Sequence, residues 1–410
     1  MTRRIRVLTL VSGLAIGEPL GGAERFGVEL ACALDRDRFE PVVCGFWRRG
    51  VPAESHWLDY LGNAGVEAFF AVDRGRGFDP AKYRHGLRSI LGHLGSKKVD
   101  IIHSHFQLGS ITALLIKGAL QAKAVIRTAH GSVRWEWRDT WHGFLCRQIF
   151  TNWIFPLGFD AEVGVSQAVV SSLDRRPGAR LVGKQAFLLY NGIRLSQFAE
   201  GSPTSDPRQE LGLTSAHLIV GSVGRLSLQK GYKYLIEAAP MVIAARPNVR
   251  FVLIGDGELR EQLRYQVDQL GLSHTIIFAG ARQNIASWLR IMDLFVLPSL
   301  WEGLPTVVLE SMICGVPVVA TNISGTQELI HNGQTGWLVQ PRDPAGLATA
   351  ILYALNNPAE RKQVALRALD RIVPRYSIEQ IADQYEALYQ WLVGQDRMIS
   401  GPGCRVLAAN

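Results

Sequence analysis

Short apolar runs alternate with amphipathic stretches along the first half of the chain. The runs are rich in β-branched and aliphatic residues, which is typical of buried strands. These predicted strands are Ile5–Ser12, Pro41–Phe46, Val66–Phe70, Asp100–His103, Ala124–Thr128, Ala161–Val165 and Ala186–Tyr190. Apolar residues at helical spacing predict helices between them, such as Ala23–Leu34, Lys82–Leu94 and Ser110–Leu120. This alternation predicts a parallel sheet built from βαβ units.

The same rhythm restarts after residues 201–207, whose Gly, Ser and Pro content is typical of a linker. The second set of predicted strands is Leu218–Val223, Arg250–Ile254, Thr275–Phe278, Leu294–Leu297, Val316–Ala320 and Gly336–Val339. The predicted helices between them include Tyr232–Ala245, Glu258–Leu270 and Thr306–Cys314, and further amphipathic helices run from Pro358 to about Val393. The pattern predicts two doubly wound, Rossmann-like domains that face a central cleft. Ligands of such sheets bind beyond the carboxyl ends of the strands.

Composition agrees with a globular protein of two domains. The chain has 410 residues, of which 47% are hydrophobic and 20% charged, so large cores can form. The chain has no run of about 18 apolar residues, so the sequence predicts no membrane-spanning helix. The basic and apolar start from Arg3 to Ile16 has features of a signal peptide, but no small-residue cleavage pattern follows it, so we interpret it as the first strand. The five cysteines are scattered without metal-site spacing, which favours a reducing cytosol.

Charge changes the picture because the net +8 lies entirely in the first half. Residues 1–200 carry 26 Lys and Arg against 18 Asp and Glu, and residues 201–410 carry 18 of each. Such asymmetry indicates an anionic partner for the first domain, either a membrane surface, a polyanionic substrate or nucleic acid. A basic solvated face with no specific partner is the alternative. No nucleic-acid-binding motif accompanies the charge, so a nucleic acid is not expected.

The first candidate for chemistry is a loop after the strand Leu218–Val223. Arg225 and Lys230 lie five residues apart in this loop, and Gly231 opens a helix. Two cations beside a helix N-terminus form a site for a diphosphate, because free N–H groups and the helix dipole add to their charge. A solvated Arg and Lys in an ordinary loop are the alternative interpretation.

The second candidate is a pair of glutamates after the strand Leu294–Leu297. Glu302 lies in a loop, Pro305 suits a first helical turn, and Glu310 follows about two turns later among apolar residues. A carboxylate in such surroundings is costly without partners, and sugar hydroxyls are good ones. A purely structural role for Glu310 is the alternative. An anion can also dock on the backbone N–H groups of the loop, which comprises Gly303, Leu304, Pro305 and Thr306.

These motifs together resemble glycosyltransferase family 4, the glycosyl transferases group 1. The resemblance is carried by the E-x7-E spacing of Glu302 and Glu310, the G-R-x4-K-G loop, and Gly21-Gly22 before Ala23-Glu24. It extends over most of the chain, including Thr128–Gly131 and Tyr190–Ile193, and is weakest across residues 46–95 and 133–156. The resemblance implies a GT-B fold and a retaining enzyme that uses a nucleotide-sugar donor and no resident cofactor or metal.

The resemblance also implies domain boundaries. We expect an acceptor-binding domain over residues 1–200 and a nucleotide-sugar-binding domain over residues 201–375. Residues 376–398 are then a helix that crosses back to the first domain, and residues 399–410 are a loose tail.

Site roles follow from the same resemblance. Arg225 and Lys230 would neutralise the donor diphosphate, Glu302 would contact the donor sugar and Glu310 the ribose. Gly21 and Gly22 would let the backbone approach the phosphates, since a side chain at Gly22 would block it. The remaining donor-binding residues are Arg282, beside the nucleobase, and the loop Gly303, Leu304, Pro305 and Thr306. His130, at a strand end before a glycine, would donate hydrogen bonds near the sugar and belongs to the catalytic group with Glu302, Arg225 and Lys230.

Two further histidines raise the question of a metal. His103 and His105 are spaced i, i+2 and would share one face of a strand. A metal site needs a third ligand, and the sequence places none beside them. We therefore interpret both as residues at the edge of the cleft and expect no metal.

The expected reaction breaks a glycosyl–phosphate bond while negative charge grows on the diphosphate. Preplaced cations and N–H groups act on that charge, and one such donor is worth about 3–4 kcal/mol, so loss of Arg225 is expected to slow the reaction about a hundredfold. The resemblance implies retention of configuration by a front-face attack in which the leaving phosphate helps to take the acceptor proton. Domain closure would exclude water from the donor.

An aromatic and basic segment, residues 133–155, is the candidate acceptor or membrane contact. It contains four Trp and three Arg with little acid, which suits a bilayer interface or a wall that stacks on carbohydrate. Packing of an amphipathic helix on the first sheet is the alternative. The residues selected here are Trp135, Trp137, Arg138 and Trp141.

The sequence therefore predicts a cytoplasmic glycosyltransferase, peripheral at the inner face of the membrane. It would move a sugar from a UDP- or GDP-sugar to a cell-envelope, polysaccharide or lipid-linked acceptor. Two alternatives remain: a nucleotide-sugar epimerase of the same fold, which needs no acceptor, and a non-catalytic relative that binds carbohydrate or membrane.

Overall fold

The chain forms two compact units, each built around a parallel sheet. The computed structural model describes residues 3–17, 21–73, 79–95, 97–131, 141–198, 206–282 and 284–394, except for the side chains of residues 141–143, 147 and 373. Unit 1 comprises Met1–Gly192 and Ile378–Asn410, and unit 2 comprises Ile193–Ser377. Both sheets are the buried parallel type that the sequence predicts.

Unit 1 has a seven-stranded sheet in the order β3-β2-β1-β4-β5-β6-β7, with every described pair parallel. Its strands are β1 Ile5–Val11, β2 Phe39–Trp47, β3 Glu67–Val72, β4 Ile101–Ser104, β5 Ala124–Ala129, β6 Ala161–Gly164 and β7 Phe187–Leu188. The central strands are apolar and buried throughout, because helices cover both faces of the sheet.

Helices of unit 1 flank this sheet. They are α1 Gly22–Ala33, α2 Pro52–Asn63, α3 Pro80–Leu94, α4 Gln107–Ile116, α5 Trp141–Ile149, α6 Phe155–Gly158, α7 Gln167–Asp174 and α8 Pro177–Leu181. A π-helical turn, Phe150–Ile154, joins α5 to α6 without a break. The start of α3 shows how the local sequence begins a helix. The Asp79 carboxylate accepts from the N–H groups of Ala81 and Lys82, and Pro80 occupies the first turn.

Unit 2 repeats the architecture with six parallel strands in the order β10-β9-β8-β11-β12-β13. The strands are β8 Leu218–Val223, β9 Val249–Ile254, β10 Ile276–Gly280, β11 Leu294–Leu297, β12 Val318–Thr321 and β13 Trp337–Val339. The helices are α9 Pro207–Glu210, α10 Tyr232–Ala245, α11 Arg260–Gln269, α12 Ile285–Arg290, α13 Thr306–Ile313, α14 Ser324–Gln327, α15 Pro344–Asn356 and α16 Pro358–Tyr376.

The last helix, α17 Ile378–Leu392, belongs to unit 1 although it follows unit 2 in the chain. Its apolar face packs on α1 and on the strands around β4 and β5. The buried residues of this face are Ile378, Ile381, Ala382, Tyr385, Leu388 and Tyr389. The predicted fold, two Rossmann-like sheets with a C-terminal helix that returns to the first, is therefore confirmed.

Three further features bear on the sequence analysis: the cysteines, the character of the helices and the C-terminal tail. Four cysteines in the described part of the chain, Cys32, Cys44, Cys146 and Cys314, are free thiols. Among the described helices, none has both the length and the apolar character that crossing a bilayer requires. The predicted tail, residues 399–410, lies outside the described residues.

Candidate functional site

In unit 2, the first feature is a close backbone approach at the carboxyl ends of β8 and β9. Gly255 has φ +133°, and a Cβ at this position would lie 2.1 Å from the carbonyl oxygen of Gly224. A Cβ on Gly257 would lie 2.5 Å from the carbonyl oxygen of Leu226. Only glycine fits where two backbones meet in this way. The two loops are therefore held together at the strand ends, where ligands of such sheets bind.

The predicted cation loop lies beside this contact. Arg225 is exposed just after β8, and a single 3₁₀ turn, Leu228–Lys230, leads to Gly231. Gly231 caps α10 with φ +64°, and its missing Cβ leaves room for the carbonyl oxygen of Pro298. The N-terminus of α10 is thus drawn against the loop after β11. This brings Lys230 to the loop that carries Glu302.

The Glu302 carboxylate is held by three side chains. Lys230 Nζ lies 2.6 Å from Oε1, Ser299 Oγ donates to Oε1 at 2.7 Å, and Gln229 Nε2 donates to Oε2 at 3.2 Å. The Glu302 side chain is only 8% exposed. The structure therefore brings together two predicted site residues from different loops, one cationic and one anionic, in a direct ion pair that the sequence did not predict.

The remaining predicted residues of this loop lead into α13. Gly303, Leu304 and Pro305 are buried, and the helix begins at Thr306 with Pro305 as its N-cap. Under the loop, a Cβ on Gly325 would lie 2.8 Å from the carbonyl oxygen of Gly303, so α14 packs closely against it. The N-terminal N–H groups of α13 have no partner within the helix, which makes this end attractive to an anion.

Glu310 is one turn inside α13 and nearly fully buried. It has interactions with neighbouring groups within the fold. Its burial agrees with the expectation that this carboxylate is not simply solvated, and its role as a ribose ligand stays a prediction.

Arg282 lies after β10 and is already engaged within unit 2. Its guanidinium pairs with Glu210 and stands 4.6 Å above the ring of Trp288. The predicted place of Arg282 beside the nucleobase stays a prediction.

In unit 1, Glu24 ties the glycine pair to the end of β1. Its Oε1 accepts from Ser12 Oγ at 2.6 Å, and its Oε2 accepts from the N–H of Gly21 at 3.2 Å. Gly22 is the first residue of α1, and a Cβ at Gly21 would meet open space. The structure thus places the predicted glycines at a helix N-terminus beyond a strand end, held there by a residue that the sequence analysis assigned no role.

Two imidazoles meet at the carboxyl ends of β4 and β5. His105 Nδ1 and His130 Nε2 share a hydrogen bond of 3.2 Å, and the edge of Phe26 packs on both rings. Within the described part of the chain, His105 Nε2 is buried without a hydrogen-bond partner. The Asn191 side chain lies next to His130 and acts on its imidazole through a hydrogen bond. The proton that the two rings share can belong to either of them.

Burial keeps these imidazoles uncharged. It lowers the pKa of His130 to about 3, against a smaller opposing effect of Asn191. Burial, together with the charge that the two neighbouring histidines would carry, holds the pKa of His105 well below its usual range. His130 is therefore neutral at physiological pH. Its role as a hydrogen-bond donor near the sugar stays a prediction.

His103 differs from the prediction. Its side chain is fully buried, with Nδ1 bonded to Tyr389 Oη at 2.7 Å and Nε2 bonded to Thr128 Oγ1 at 2.8 Å. Tyr385 Oη also reaches Thr128 Oγ1, at 3.0 Å. The interpretation of His103 as a residue at the cleft edge is wrong, because α17 covers that position. The i, i+2 spacing did place His103 and His105 on one face, with ring centroids 4.1 Å apart.

Several participants were missed by the sequence analysis. Gln229 directly precedes Lys230 in the sequence, and Ser299 lies three residues before Glu302. This closeness in sequence was the signal that could have identified them. Tyr385 and Tyr389 are four residues apart on a helix, which was the signal that they share a face. Among the predicted acceptor or membrane contacts, Trp135, Trp137 and Arg138 lie outside the described residues, and so does the side chain of Trp141.

Two family models match the chain, one for each unit. The model described as Glycosyltransferase Family 4 matches residues 20–197, and the model described as Glycosyl transferases group 1 matches residues 204–370. Together they account for nearly all of the chain between its two ends.

Relatives with curated names are similar over most of their length. The chain is 28% identical over 344 residues to a UDP-Gal:alpha-D-GlcNAc-diphosphoundecaprenol alpha-1,3-galactosyltransferase of Escherichia coli, covering 81% of this chain and 85% of that protein. It is 27% identical over 299 residues to the lipopolysaccharide core biosynthesis mannosyltransferase LpsB of Rhizobium meliloti, covering 71% of this chain and 79% of that protein.

Solved structures share the fold. The crystal structure of Anabaena HepE in complex with UDP and glucose superposes with a TM-score of 0.74 at 23% identity, covering 95% of this chain and all of that one. The structure of WaaG, a glycosyltransferase involved in lipopolysaccharide biosynthesis, gives a TM-score of 0.69 at 17% identity, again over 95% of this chain and all of that one. The GT-B fold is the shared architecture.

Proposed function

This chain belongs to glycosyltransferase family 4, and we propose that it transfers a sugar from a UDP- or GDP-sugar to a cell-envelope glycan or lipid-linked acceptor with retention of configuration. The observation that carries the proposal is the ion pair of Lys230 and Glu302 beside the N-termini of α10 and α13. Together with Arg225, which begins the same loop as Lys230, this pair would offer cations to a diphosphate and a carboxylate to sugar hydroxyls. No resident metal or cofactor is part of the proposal.

The proposed donor site works by charge. As the glycosyl–phosphate bond breaks, negative charge grows on the diphosphate, and preplaced cations and N–H groups stabilise it. Lys230 is held at 2.6 Å by Glu302 and is only 17% exposed, so its ammonium is already oriented before a donor arrives. A bound phosphate would share this ammonium, and the released acceptor capacity of Glu302 would be available to sugar hydroxyls.

The proposed role of unit 1 rests on His130. A neutral imidazole has one ring nitrogen that donates and one that accepts, so His130, with the Asn191 side chain beside it, can bind a hydroxyl. A sugar hydroxyl has both functions. The proposal of retention rests on family resemblance alone, and so does the proposal that the leaving phosphate helps to take the acceptor proton.

The acceptor class is proposed from relatives. The name of the Escherichia coli relative gives a UDP-sugar donor and a diphosphoundecaprenol-linked acceptor, and that of the Rhizobium meliloti relative gives the lipopolysaccharide core. An acceptor of this kind is presented at a membrane. We therefore propose a cytoplasmic enzyme that works at the inner face of the membrane, where the net positive charge of the first 200 residues would favour anionic lipids.

Thermal shifts with UDP, GDP, ADP and CMP test the donor site. We expect one nucleoside diphosphate to raise the melting temperature of the wild type and to have no effect on Arg225→Ala. Arg246→Ala is the matched control, because Arg246 lies at the opposite end of α10 and bonds to Asn356. The control should keep the full shift, and a wild type that responds to none of the four nucleotides contradicts the proposal.

Activity completes the test. The substrates are the matching nucleotide-sugar and an undecaprenyl-diphosphate-linked sugar. With them, the turnover rate of Arg225→Ala should be about one hundredth of the wild-type rate, or lower. Product anomers identified by NMR report retention or inversion. Formation of an epimerised donor without any acceptor would instead establish the epimerase alternative.

A further inference from the structure

Besides the ammonium of Lys230, the Glu302 carboxylate binds two uncharged side chains. Ser299 Oγ donates to Oε1 at 2.7 Å, and Gln229 Nε2 donates to Oε2 at 3.2 Å. Ser299 is fully buried, and Gln229 is half-buried. Each carboxylate oxygen therefore has an uncharged donor of its own, while the ammonium bonds to Oε1. We call Gln229 and Ser299 the two neutral donors.

The orientation of the Gln229 amide follows from its partners. Its nitrogen lies 3.0 Å from the carbonyl oxygen of Trp301 and 3.2 Å from Glu302 Oε2. Both partners are acceptor oxygens without a hydrogen, so the amide nitrogen and not the amide oxygen must face them. Gln229 thus spends both of its N–H groups on the loop that carries Glu302, one on the backbone and one on the carboxylate.

The loop itself is held in place by other contacts. The N–H of Leu300 donates to the backbone carbonyl oxygen of Gln229 at 2.7 Å. From β12, Thr321 Oγ1 donates to the carbonyl oxygen of Ser299. Neither bond involves the side chain of a neutral donor. A change of the Gln229 side chain therefore acts on the carboxylate while these bonds still hold the loop.

The Lys230 ammonium is the partner of Glu302 that a donor diphosphate would claim. Lys230 is 17% exposed, whereas Glu302 is only 8% exposed. When the ammonium turns to phosphate oxygens, the carboxylate loses counter-charge but stays buried, which is costly unless other donors hold it. The two neutral donors fill this need, because phosphate competes for uncharged donors less strongly than for an ammonium.

The two neutral donors also fix the direction in which the carboxylate faces. They hold different oxygens, so rotation of the carboxylate about its Cγ–Cδ bond would break both hydrogen bonds. A carboxylate with a fixed plane accepts from hydroxyl groups in fixed directions. A sugar bound to it would be oriented as well as retained.

We propose that Gln229 and Ser299 are positioning residues, which keep the Glu302 carboxylate aimed at the donor sugar after the diphosphate has engaged Lys230. The inference rests on the proposed function, because it presumes a nucleotide-sugar in this site. It adds that the diphosphate and the sugar are recognised separately. The diphosphate depends on Arg225 and Lys230, and the orientation of the sugar depends on the two neutral donors acting through Glu302.

Gln229→Met tests this separation, because methionine keeps the length of the side chain but donates no hydrogen bond. We expect the thermal shift with the nucleoside diphosphate alone to equal that of the wild type. With the corresponding nucleotide-sugar and the acceptor used above, kcat should fall about tenfold or more, because a misdirected sugar leaves its reactive geometry. The KM for the nucleotide-sugar should stay within about threefold, since the diphosphate contacts remain.

A double-mutant cycle shows whether Gln229 acts through Glu302. Gln229→Met is combined with Glu302→Ala, and both are measured with enzyme in excess so that slow turnover can be followed. A positioning residue has nothing left to position in this background, so the second change should cost no further activity. Ser299→Ala should resemble Gln229→Met in kcat and in its intact thermal shift, so that the result does not depend on one side chain.

Gln266→Met is the matched control. Gln266 is also half-buried in unit 2, and its Nε2 donates to the carbonyl oxygen of Lys233, which ties α11 to α10. This variant loses an amide hydrogen bond at the same helix without touching Glu302. It should therefore keep the kcat and the thermal shift of the wild type.

The possible failures differ from one another. A Gln229→Met enzyme with the kcat of the wild type overturns the inference. A Gln229→Met enzyme that loses its nucleotide shift overturns it as well, because the side chain then supports the cation loop. The same holds if Gln229→Met costs as much activity with Glu302→Ala as without it. A wild type that neither responds to a nucleoside diphosphate nor transfers sugar instead contradicts the proposed function, and the inference falls with it.

Discussion

At the scale of single residues, the two units use opposite electrostatic means at their strand ends. Unit 2 gathers charge, with Lys230 and Glu302 paired at 2.6 Å. At the ends of β4 and β5, unit 1 instead carries His103, His105 and His130, which burial keeps neutral. A cation group suits a diphosphate, and neutral imidazoles suit hydroxyl groups, since they can donate or accept without attracting a counterion.

The neutral histidines predict a pH dependence of stability. Burial lowers the pKa of His103 and of His130 from 6.5 to about 3. Below pH 6.5 the unfolded chain binds protons at these positions and the folded chain does not, so stability falls as the pH falls toward 3. Each histidine contributes up to about 1.4 kcal/mol per pH unit in this window.

Melting temperatures between pH 7 and pH 5 check this expectation. His103→Gln should be less stable than the wild type at pH 7, because it loses hydrogen bonds, but its stability should fall less steeply with pH. His85→Gln, at an exposed position on α3, is the control and should keep the slope of the wild type. Equal slopes for wild type and His103→Gln would contradict the buried neutral state.

At the scale of elements, helix starts decide where the site residues lie. Motif spacing in the sequence correctly indicated that Gly231 opens a helix after a cation loop and that Thr306 begins another. It could not predict that Gly231 lets α10 approach the carbonyl oxygen of Pro298, because that contact joins residues 67 positions apart. The Lys230–Glu302 pair depends on this approach and was missed for the same reason.

Gly231→Ala is predicted to damage the site through this element. Its φ of +64° costs an alanine about 1–2 kcal/mol, and its Cβ would lie 2.1 Å from a backbone oxygen that cannot move freely. Displacement of α10 should add about 2 kcal/mol and abolish the nucleotide thermal shift.

Gly271→Ala is a matched control for that variant. Gly271 has φ +67° but open space around its Cβ position. This variant should therefore show the backbone cost alone and keep the nucleotide shift. If both variants lose the same stability and both keep the shift, the close approach at Pro298 does not position the site.

At the scale of the whole molecule, the sequence predicted the repeated units well and the long-range contacts poorly. All thirteen predicted strands correspond to strands of the two sheets, because buried parallel strands leave a local apolar signal. The burial of His103 was not foreseen, because Tyr385 and Tyr389 reach it from nearly 290 residues away along the chain. Local patterns encode elements, whereas the surroundings of a side chain depend on which elements meet.

The return of α17 makes unit 1 discontinuous in the chain, and this carries a last prediction. Ile378, Ile381, Tyr385, Leu388 and Tyr389 are all fully buried in the core of unit 1. At about 2 kcal/mol for each large side chain, α17 contributes about 10 kcal/mol, which is comparable to the total stability of a domain. Residues 1–192 alone should therefore fail to fold.

Rejoining the two parts should restore folding. Gly192 contacts Ile378 directly, since a Cβ on Gly192 would lie 2.8 Å from the Cα of Ile378. A short glycine linker between residues 192 and 378 can thus replace all of unit 2 at little cost in loop-closure entropy. We expect the joined chain to melt cooperatively as a monomer, and residues 1–192 to aggregate or lack a melting transition. Cooperative melting of residues 1–192 at the same temperature as the joined chain would mean that α17 only covers unit 1, whereas failure of both would mean that unit 1 needs unit 2 in order to fold.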